Sequence, residues 1–275
     1  MVRLGQNFLA DPNLLEAIVA DAALGPDDVV LEVGGGEGVL SERLAERVAH
    51  LHVVELDERL RDPLDRIVAA APAAVELHWG DAMRMDLAAL RPPPTAMVAN
   101  LPYAIATPLL LRTIAELPSI GRWTVMVQRE IAERLRARPG SRTYGSPSVL
   151  VQLSCDVRML RAVDPAVFKP RPKVESAVLA LRRRRVAPPE PVGALIRDCF
   201  AHRRKTLPRS LELAAKRRES EAMAAGEPPP RPRSGEVRHA AREALGRLGL
   251  PVDVRAEMLT PAHHLALAET ITGLA

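Results

Sequence analysis

The sequence predicts an α/β protein with a doubly wound parallel sheet, followed by a small helical domain. Short apolar runs typical of buried strands alternate with amphipathic stretches typical of helices as far as Arg185. A glycine cluster follows the first strong apolar run, where such sheets bind their ligands. Beyond a proline-rich linker at 188–191 the periodicity is helical only. We therefore predict one domain over residues 1–185 and a second over residues 186–275.

The first elements of the predicted sheet domain follow in regular alternation. Asp11-Pro12 is typical of an N-cap followed by proline at the first helical position, so a helix begins there. Further helices are predicted over residues 39–48 and 57–70. The predicted strands are the short apolar runs Val29–Val33, Leu51–Glu55, Val75–His78 and Thr95–Ala99.

The second half of this domain continues the alternation. In chain order we predict a helix over Thr107–Leu117, a strand over Trp123–Gln128, a helix over 129–138, a loop over 139–147, and strands near 155–163 and 175–182. Within the helical domain, the Pro- and Arg-rich segment Gly226–Gly235 is predicted to be a mobile loop.

The charge of the chain is unevenly distributed. Residues 182–218 contain twelve Arg or Lys and three acidic residues, a net of +9, whereas the whole chain carries only +4. Such a basic block suggests a polyanionic partner. The two cysteines, Cys155 and Cys199, lie far apart, which argues against a disulfide framework or a zinc site. No signal peptide or membrane-length apolar segment is apparent, so we expect a cytoplasmic protein without a membrane partner.

The glycine cluster Glu32–Gly38 after the first strong strand is suited to holding a ligand against the backbone. It does not match the G-x-G-x-x-G/A fingerprint of dinucleotide-binding proteins in either register, because the last position is Val39 or Ser41. Because the fingerprint is missing, a dehydrogenase is only a distant alternative. The spacing instead resembles motif I of the class I methyltransferases, which have a Rossmann-like fold and bind S-adenosylmethionine. That resemblance assigns Gly34 and Gly36 to a cofactor loop.

Two later strands end in residues that suit the same cofactor. Glu55 ends the second strand, where a carboxylate accepts hydrogen bonds from ribose hydroxyls. Asp81, in Gly80-Asp81-Ala82 after the third strand, is placed to accept a hydrogen bond from an adenine amino group. Because the carboxyl ends of parallel strands meet at one edge, we predict that Glu55, Asp81 and Ala82 join the glycine loop in one cofactor site.

The segment Asn100-Leu101-Pro102-Tyr103 at the end of the fourth strand has the most specific chemistry in the chain. The exocyclic N6 of adenine is a poor nucleophile because its lone pair is delocalised, so it needs hydrogen-bond acceptors that orient it. The side-chain oxygen of Asn100 and the carbonyl of Leu101 are such acceptors, and Pro102 fixes their geometry. Tyr103 is suited to stacking on the target base. We therefore predict methyl transfer to adenine N6.

With these motifs, nearly the whole chain resembles the ribosomal small-subunit rRNA adenine N6,N6-dimethyltransferase family, also called the KsgA or RsmA family. Further matching segments are Gly5–Leu9, Phe168–Ser176, Phe200–Leu207 and Arg255-Ala256-Glu257. The resemblance implies cofactor contacts from Asn7, Leu9, Gly34, Glu55, Asp81 and Asn100. It also implies that Phe168 forms the wall of the target-base pocket opposite Tyr103.

The family resemblance implies a concrete reaction and partner. Two methyl groups are added from S-adenosylmethionine to each of two adjacent adenosines near the 3′ end of 16S rRNA, within the assembling 30S subunit. Arg203, Arg204 and Lys205 are the predicted phosphate contacts. We expect direct transfer by a monomer without a metal, since no metal-ligand cluster is apparent and the histidines are interpreted as surface or core residues.

Several positions depart from the family pattern. Gly35 stands where proline is common, Glu37 where an apolar residue is usual, and Ala104 where an asparagine commonly follows the Asn-Leu-Pro-Tyr motif. The segment 219–236 is longer than is typical. None of these departures removes a motif on which the predicted chemistry depends.

Two other functions remain as alternatives. An antibiotic-resistance methyltransferase acting on adenine N6 of 23S rRNA shares the fold and the N-terminal segment, although Leu101 and the basic segment Arg203–Thr206 favour the small-subunit enzyme. A non-catalytic ribosome-assembly or RNA-binding factor on the same scaffold is the second alternative. The intact cofactor and Asn-Leu-Pro-Tyr motifs argue against it.

Overall fold

The computed structural model describes residues 7–228 and 232–273, which form two compact units. The first unit contains residues up to 133 together with 155–186, and the second contains 134–154 and the residues from 187 onward. Gly5 and Gln6 of the N-terminal segment, and residues 229–231 of the predicted mobile loop, lie outside the described residues. The mobility of that loop therefore stays a prediction.

The elements follow the predicted alternation. In chain order they are β1 (Phe8–Leu9), α1 (Pro12–Ala22), β2 (Val29–Val33), α2 (Val39–Ala45), β3 (His50–Glu55), α3 (Arg61–Ala70), β4 (Ala74–Trp79), β5 (Ala96–Asn100), α4 (Ala106–Glu116), β6 (Arg122–Gln128), α5 (Arg129–Leu135), α6 (Ser146–Ser154), β7 (Cys155–Val163), β8 (Phe168–Lys169), β9 (Ser176–Arg183), α7 (Glu190–Ala201), α8 (Leu207–Ala224), α9 (Ser234–Arg247) and α10 (Pro261–Thr272).

The first unit is built on a seven-stranded sheet in the order β4-β3-β2-β5-β6-β9-β7. Its first five strands are parallel, and β9 and β7 are antiparallel to their neighbours. The strand order reverses between β2 and β5, which pair directly. In such sheets this switch point forms a crevice at the carboxyl ends of the strands, where ligands bind. The predicted α/β fold is confirmed, but the sheet is not wholly parallel as predicted, because the pairings of β9 with β6 and with β7 are antiparallel.

The core of the first unit forms where helices cover the sheet. All five residues of β2 are buried, as expected for a central parallel strand covered on both faces. Helix α1 packs Leu15, Ile18 and Val19 into this core, and the predicted N-cap is confirmed because Asp11 Oδ1 accepts the backbone N–H of Leu14 at 3.1 Å. These contacts fix the helices while the carboxyl ends of the strands remain open to a ligand.

The second unit has a helical core of its own. Helices α7 to α10 enclose a buried cluster that includes Cys199, Leu211, Ala241, Leu245 and Leu267. The predicted helical character of this region is confirmed, and Cys199 is a free, buried cysteine. No helix that the structure describes is both long and apolar enough to cross a membrane.

The predicted boundary needs one correction, because residues 134–154 belong to the second unit. The sequence analysis predicted a loop over 139–147 and did not predict α6, which packs against α7 and α10. Tyr144, in that loop, is fully buried and donates a hydrogen bond to the carbonyl of Leu259 at 2.9 Å. Local periodicity does not reveal such a partner, because Leu259 is 115 residues away in sequence.

Candidate active site

A cavity of about 300 Å³ opens at the carboxyl ends of β2, β3 and β5. It is lined by Asn7, Phe8, Gly34, Gly36, Glu55, Asn100, Leu101, Pro102, Tyr103 and Ala104. Its volume falls in the range of small-molecule sites, which runs from about 300 to 1,000 Å³. The cavity therefore brings together the N-terminal segment, the glycine loop, the carboxylate of β3 and the Asn-Leu-Pro-Tyr segment, as the sequence predicted.

The glycine loop requires residues without side chains at the cavity. Gly34 and Gly36 have φ angles of +85° and +58°, which side chains disfavour. A β-carbon on Gly34 would lie 3.4 Å from the Pro102 ring, and one on Gly36 would lie 3.3 Å from the Phe8 ring. The loop therefore lies directly against both neighbouring segments and presents its backbone to the cavity.

The departure at Gly35 has a local physical reason. A β-carbon there would lie only 2.5 Å from Cγ1 of Val53 and 3.3 Å from Cδ2 of Leu64. Gly35 is buried, and Val53 is a stiff, β-branched side chain in the core. The glycine allows the loop to sit tightly over β3 and α3. Glu37, the other departure in this loop, is exposed.

Glu55 is held rigidly at the end of β3. Its Oε2 accepts the backbone N–H of Gly36 at 2.9 Å, and its Oε1 accepts the N–H groups of Leu56 and Asp57 at 2.8 and 2.9 Å. These bonds join the strand end to the glycine loop. Each carboxylate oxygen has further lone pairs. Glu55 can therefore still accept hydrogen bonds from the hydroxyl groups of a ligand in the cavity.

A second carboxyl group lies beneath the glycine loop. Glu32 in β2 is only 1% exposed and accepts a hydrogen bond from Ser41 Oγ at 2.6 Å. The pKa of Glu32 is raised to about 8, chiefly by burial and also by the nearby charge of Glu55, against the opposing effect of the Ser41 hydrogen bond. Glu32 is part of motif I, but the motif alone predicts no role for it.

Asn100 ends β5 beside the N-terminal segment. Its Nδ2 donates to the backbone carbonyl of Asn7 across 3.4 Å. A carbonyl oxygen can only accept a hydrogen bond, so the amide nitrogen of Asn100 must face Asn7. The side-chain oxygen Oδ1 is then left to accept a hydrogen bond from a ligand. Asn7 and Asn100 both line the cavity, and their predicted contacts with the cofactor remain predictions.

The next three residues are anchored on the sheet. The N–H of Leu101 donates to the carbonyl of Met126 in β6 at 3.0 Å, which holds the segment at the strand end. Tyr103 lines the cavity, and its hydroxyl is 2.7 Å from Oγ of the buried Ser176 in β9. Ser176 therefore fixes the position of the aromatic ring. The sequence analysis placed Ser176 in a family segment but gave it no contact with Tyr103.

Asp81 and Ala82 lie at the same sheet edge but are not among the described residues that line the cavity. The N–H of Gly80 donates to the carbonyl of Glu55 at 2.9 Å, which joins this turn to the end of β3. Asp81 Oδ1 accepts the N–H of Met83 at 2.8 Å, whereas Ala82 is buried. Their predicted cofactor contacts remain predictions.

Phe168 is buried beside the N-terminal segment. Its ring is 2% exposed and belongs to the hydrophobic core, and the cavity lining among the described residues does not include it. It lies opposite Leu9 in the antiparallel pair of β1 and β8, and Leu9 is buried in the same core. This pairing turns both apolar side chains inward, so the contact of Phe168 with a target base remains a prediction. Phe8, the neighbour of Leu9, lines the cavity.

The predicted phosphate contacts lie in the exposed segment between α7 and α8 of the second unit. Arg203 is already engaged, because its Nε is 2.6 Å from Oε2 of Glu257 and its guanidinium donates to the carbonyl of Ser141 at 3.2 Å. Arg204 and Lys205 are exposed and form no ion pair with any described residue. Arg204 and Lys205 are therefore more available than Arg203 to bind the phosphates of a polyanion.

Much of the basic block is engaged in contacts within the fold. Arg183 donates three hydrogen bonds to the carbonyls of Ile114, Leu117 and Ile120, at and just beyond the end of α4. In the second unit, Glu212 pairs with Arg209, Lys216 and Arg238 at 2.8 to 3.0 Å. The hydrogen bond from Arg209 is the largest of the effects that lower the pKa of Glu212 to about 2. The formal charge of the block thus overstates its free positive charge.

The fold and the cavity define a Rossmann-like methyltransferase of class I. A family model described as ribosomal RNA adenine dimethylase matches residues 2–227. A curated relative, ribosomal RNA small subunit methyltransferase A of Rubrobacter xylanophilus, is 43% identical over 98% of this chain and 94% of its own length. The chain belongs to the ribosomal RNA adenine dimethylase family.

Two solved structures are similar over nearly the whole chain. A dimethyladenosine transferase from Plasmodium falciparum has a TM-score of 0.76 and 24% identity, covering 94% of this chain and 95% of that one. The 23S rRNA methyltransferase ErmE has a TM-score of 0.65 and 28% identity, covering 97% of this chain and all of that one. The similarity extends beyond the sheet unit into the helical unit, because it covers more than nine tenths of the chain.

Proposed function

We propose that this protein dimethylates N6 of two adjacent adenosines near the 3′ end of 16S rRNA, using S-adenosylmethionine, within the assembling 30S subunit. The observation that carries the proposal is the single cavity in which the glycine loop and Asn100–Tyr103 meet. Membership of the adenine dimethylase family supports the same reaction.

The lining of the cavity suits S-adenosylmethionine. Gly34 and Gly36 form a cradle that β-carbons would fill, and Glu55 offers carboxylate oxygens to the ribose hydroxyls. When bound, S-adenosylmethionine supplies an electrophilic methyl group on a sulfonium. Phe8 and Pro102 form apolar parts of the lining, where they exclude water from the ligand.

Asn100 and Leu101 orient the amine of the target base. The Oδ1 of Asn100 and the carbonyl of Leu101 accept the two N–H bonds of adenine N6, which directs its lone pair toward the methyl group. No strong base is required for this step, because N6 attacks as a neutral amine, and the nitrogen becomes acidic enough on methylation to give its proton to water. Tyr103, fixed by Ser176, stacks on the base that has left its helix.

The small-subunit target is supported by the extent of the relatedness. The Rubrobacter xylanophilus relative, whose name specifies the small subunit, is 43% identical, whereas the 23S rRNA methyltransferase ErmE is 28% identical. Arg204 and Lys205 supply exposed positive charge for phosphate binding in the helical unit. A 23S rRNA target remains the second candidate because the ErmE fold matches so much of the chain.

The experiment that tests the proposal measures transfer of radiolabelled methyl groups into unmethylated 30S subunits, with 50S subunits and free rRNA in parallel. We expect label in 30S subunits only, recovered after nuclease digestion as N6,N6-dimethyladenosine. Label in 50S subunits or in 23S rRNA would move the enzyme to the second candidate. Absence of label from every substrate, together with measurable cofactor binding, would favour a non-catalytic assembly factor.

The same assay tests the role of Asn100. We expect Asn100→Ala to reduce methyl transfer at least about a hundredfold, because it removes an acceptor that orients the amine. Binding of S-adenosylmethionine, measured by calorimetry, is expected to survive largely unchanged. Asn13→Ala, at an exposed position of α1, is the matched control and should retain activity. Wild-type turnover by Asn100→Ala would contradict the mechanism.

A further inference from the structure

The pairing of β3 with β4 places four metal-ligand side chains on one face of the sheet. His50 and His52 alternate along β3, and Glu76 and His78 alternate along β4. In the parallel register His52 lies beside Glu76, and Val54 lies beside His78. All four side chains therefore share a face, whereas Leu51, Val53, Val75 and Leu77 of the alternate positions pack with the hydrophobic core.

The distances among these groups approach those of a metal site. His50, His52 and Glu76 each offer one ligand atom within 4.8 Å of the others. Glu76 oxygens lie 3.5, 3.7 and 3.8 Å from His50 Nε2, His52 Nδ1 and His78 Nε2, and the last two nitrogens are 3.0 Å apart. Tetrahedral zinc, with bonds of about 2.0–2.1 Å, separates its ligand atoms by about 3.4 Å. Small side-chain adjustments therefore suffice for coordination by His50, His52 and Glu76.

The tautomer of His52 is set by the fold. Its Nε2 is 2.8 Å from the carbonyl oxygen of Pro92, and this oxygen can only accept a hydrogen bond. Nε2 therefore carries the proton, and the lone pair lies on Nδ1, which faces His78 and Glu76. Metal-ligating histidines commonly donate their second N–H to such a carbonyl, which orients the ring.

His50 provides a second, independent indication of a ligand. Its side chain is 10% exposed, yet its Nε2 has no hydrogen-bond partner among the described residues. A buried polar atom without a partner is costly, and native structures usually satisfy it. The half-exposed Glu76 beside it leaves a path from solvent, so an ion can enter without opening the core.

We propose that His50, His52 and Glu76 bind a divalent transition-metal ion of the zinc class, with His78 as the fourth ligand. Three imidazoles and one carboxylate favour zinc over magnesium or calcium, which prefer oxygen ligands. His50 and His52 lie five and three residues before the cavity-lining Glu55 on β3, so their side chains point to the opposite face of the sheet from that residue. The ion joins the edge strand β4 to β3 and has a structural role. This inference does not depend on the proposed function.

The test uses the full chain without an affinity tag, freed of metal by a chelator and titrated with Co²⁺. We expect saturable binding of one ion with the intense visible absorption of tetrahedral Co²⁺, and loss of that absorption on addition of Zn²⁺. Glu76→Gln and His50→Gln should each weaken binding about tenfold or more. Zn²⁺ should also raise the melting temperature of the wild type more than that of Glu76→Gln at the same Zn²⁺ concentration.

His239→Gln is the matched control. His239 faces Glu243 one turn away on α9 at 3.6 Å, a histidine–carboxylate pair at the surface. It should leave the Co²⁺ spectrum and affinity unchanged. Should His50→Gln fail to fold, Glu76→Gln alone decides the matter, because Glu76 is half exposed and its amide replacement is isosteric. Absence of a tetrahedral spectrum, or wild-type affinity in Glu76→Gln, would overturn the proposal.

Discussion

At the residue scale, Gly35 shows how one missing side chain shapes the glycine loop. We expect Gly35→Ala to lower the free energy of unfolding by about 1–3 kcal/mol, because the new methyl group overlaps Val53. Gly246→Ala is the matched control, since a β-carbon there meets no atom within 4 Å and the position is helical. Alanine at 246 should stabilise the protein by roughly 0.5–1 kcal/mol. Urea denaturation of both variants makes the comparison, and equal effects would refute this account of Gly35.

Glu32 makes the stability of the protein depend on pH. Its pKa is about 8 in the folded protein and near the ordinary 4.5 in the unfolded chain, so folding takes up a proton between these values. The stabilising contribution is fully present below pH 4.5 and is lost as the pH rises toward 8, by at most about 1.4 kcal/mol per pH unit.

The variant Glu32→Gln isolates this effect because glutamine does not titrate. We expect its stability relative to the wild type to rise steadily between pH 5 and pH 8, as followed by urea denaturation. Glu42→Gln, at an exposed position of α2, is the control. A difference between Glu32→Gln and the wild type that stays constant over this range would show that Glu32 is already ionised in the fold.

At the scale of elements, the turn between α7 and α8 separates two roles that the sequence placed together. Arg203 bonds to Glu257 and to the carbonyl of Ser141, so it ties three segments of the second unit to one another. Arg204 and Lys205 lie exposed beside it. The basic motif therefore combines a structural arginine with two side chains available to phosphate.

This division predicts how RNA binding responds to salt. Replacing Arg204 and Lys205 together by glutamine should weaken binding to the rRNA substrate and reduce the slope of log K against log salt by roughly 1.4, or about 0.7 per lost phosphate contact. Arg242→Gln, at an exposed position on α9, is the control and should leave the slope unchanged. The slope is measured by filter binding at several salt concentrations. An unaltered slope in the double variant would exclude these residues from the interface.

The smallest sheet shows the same distinction between pattern and pairing. The N-terminal segment indicated cofactor contacts at Asn7 and Leu9, and the structure brings Asn7 to the cavity but buries Leu9. Successive residues of a strand point to opposite faces. Because Leu9 faces the core, Phe8 faces the cavity. The pairing of β1 with β8 determines which residue faces which side. Each of these strands has only two residues, and neither was predicted from the sequence.

At the scale of the whole molecule, charge and architecture are organised differently from the linear sequence. The basic block is continuous in the chain but is divided between the two units, and most of its members are paired. Arg183 satisfies carbonyls at the end of α4, a role that composition alone does not distinguish from RNA binding. Net charge in the sequence therefore indicated a polyanionic partner without locating its contact.

The sequence by itself determined the parallel sheet, the glycine loop, Glu55 and the Asn100–Tyr103 segment, because each is encoded by residues close together in the chain. Only the tertiary structure decided that Phe168 is buried, that residues 134–154 join the helical unit, and that His50, His52, Glu76 and His78 share one face. The alternation of His50 with His52 and of Glu76 with His78 was visible in the sequence. Whether these side chains meet depends on the register between β3 and β4. That register is set by long-range packing and cannot be predicted from local periodicity.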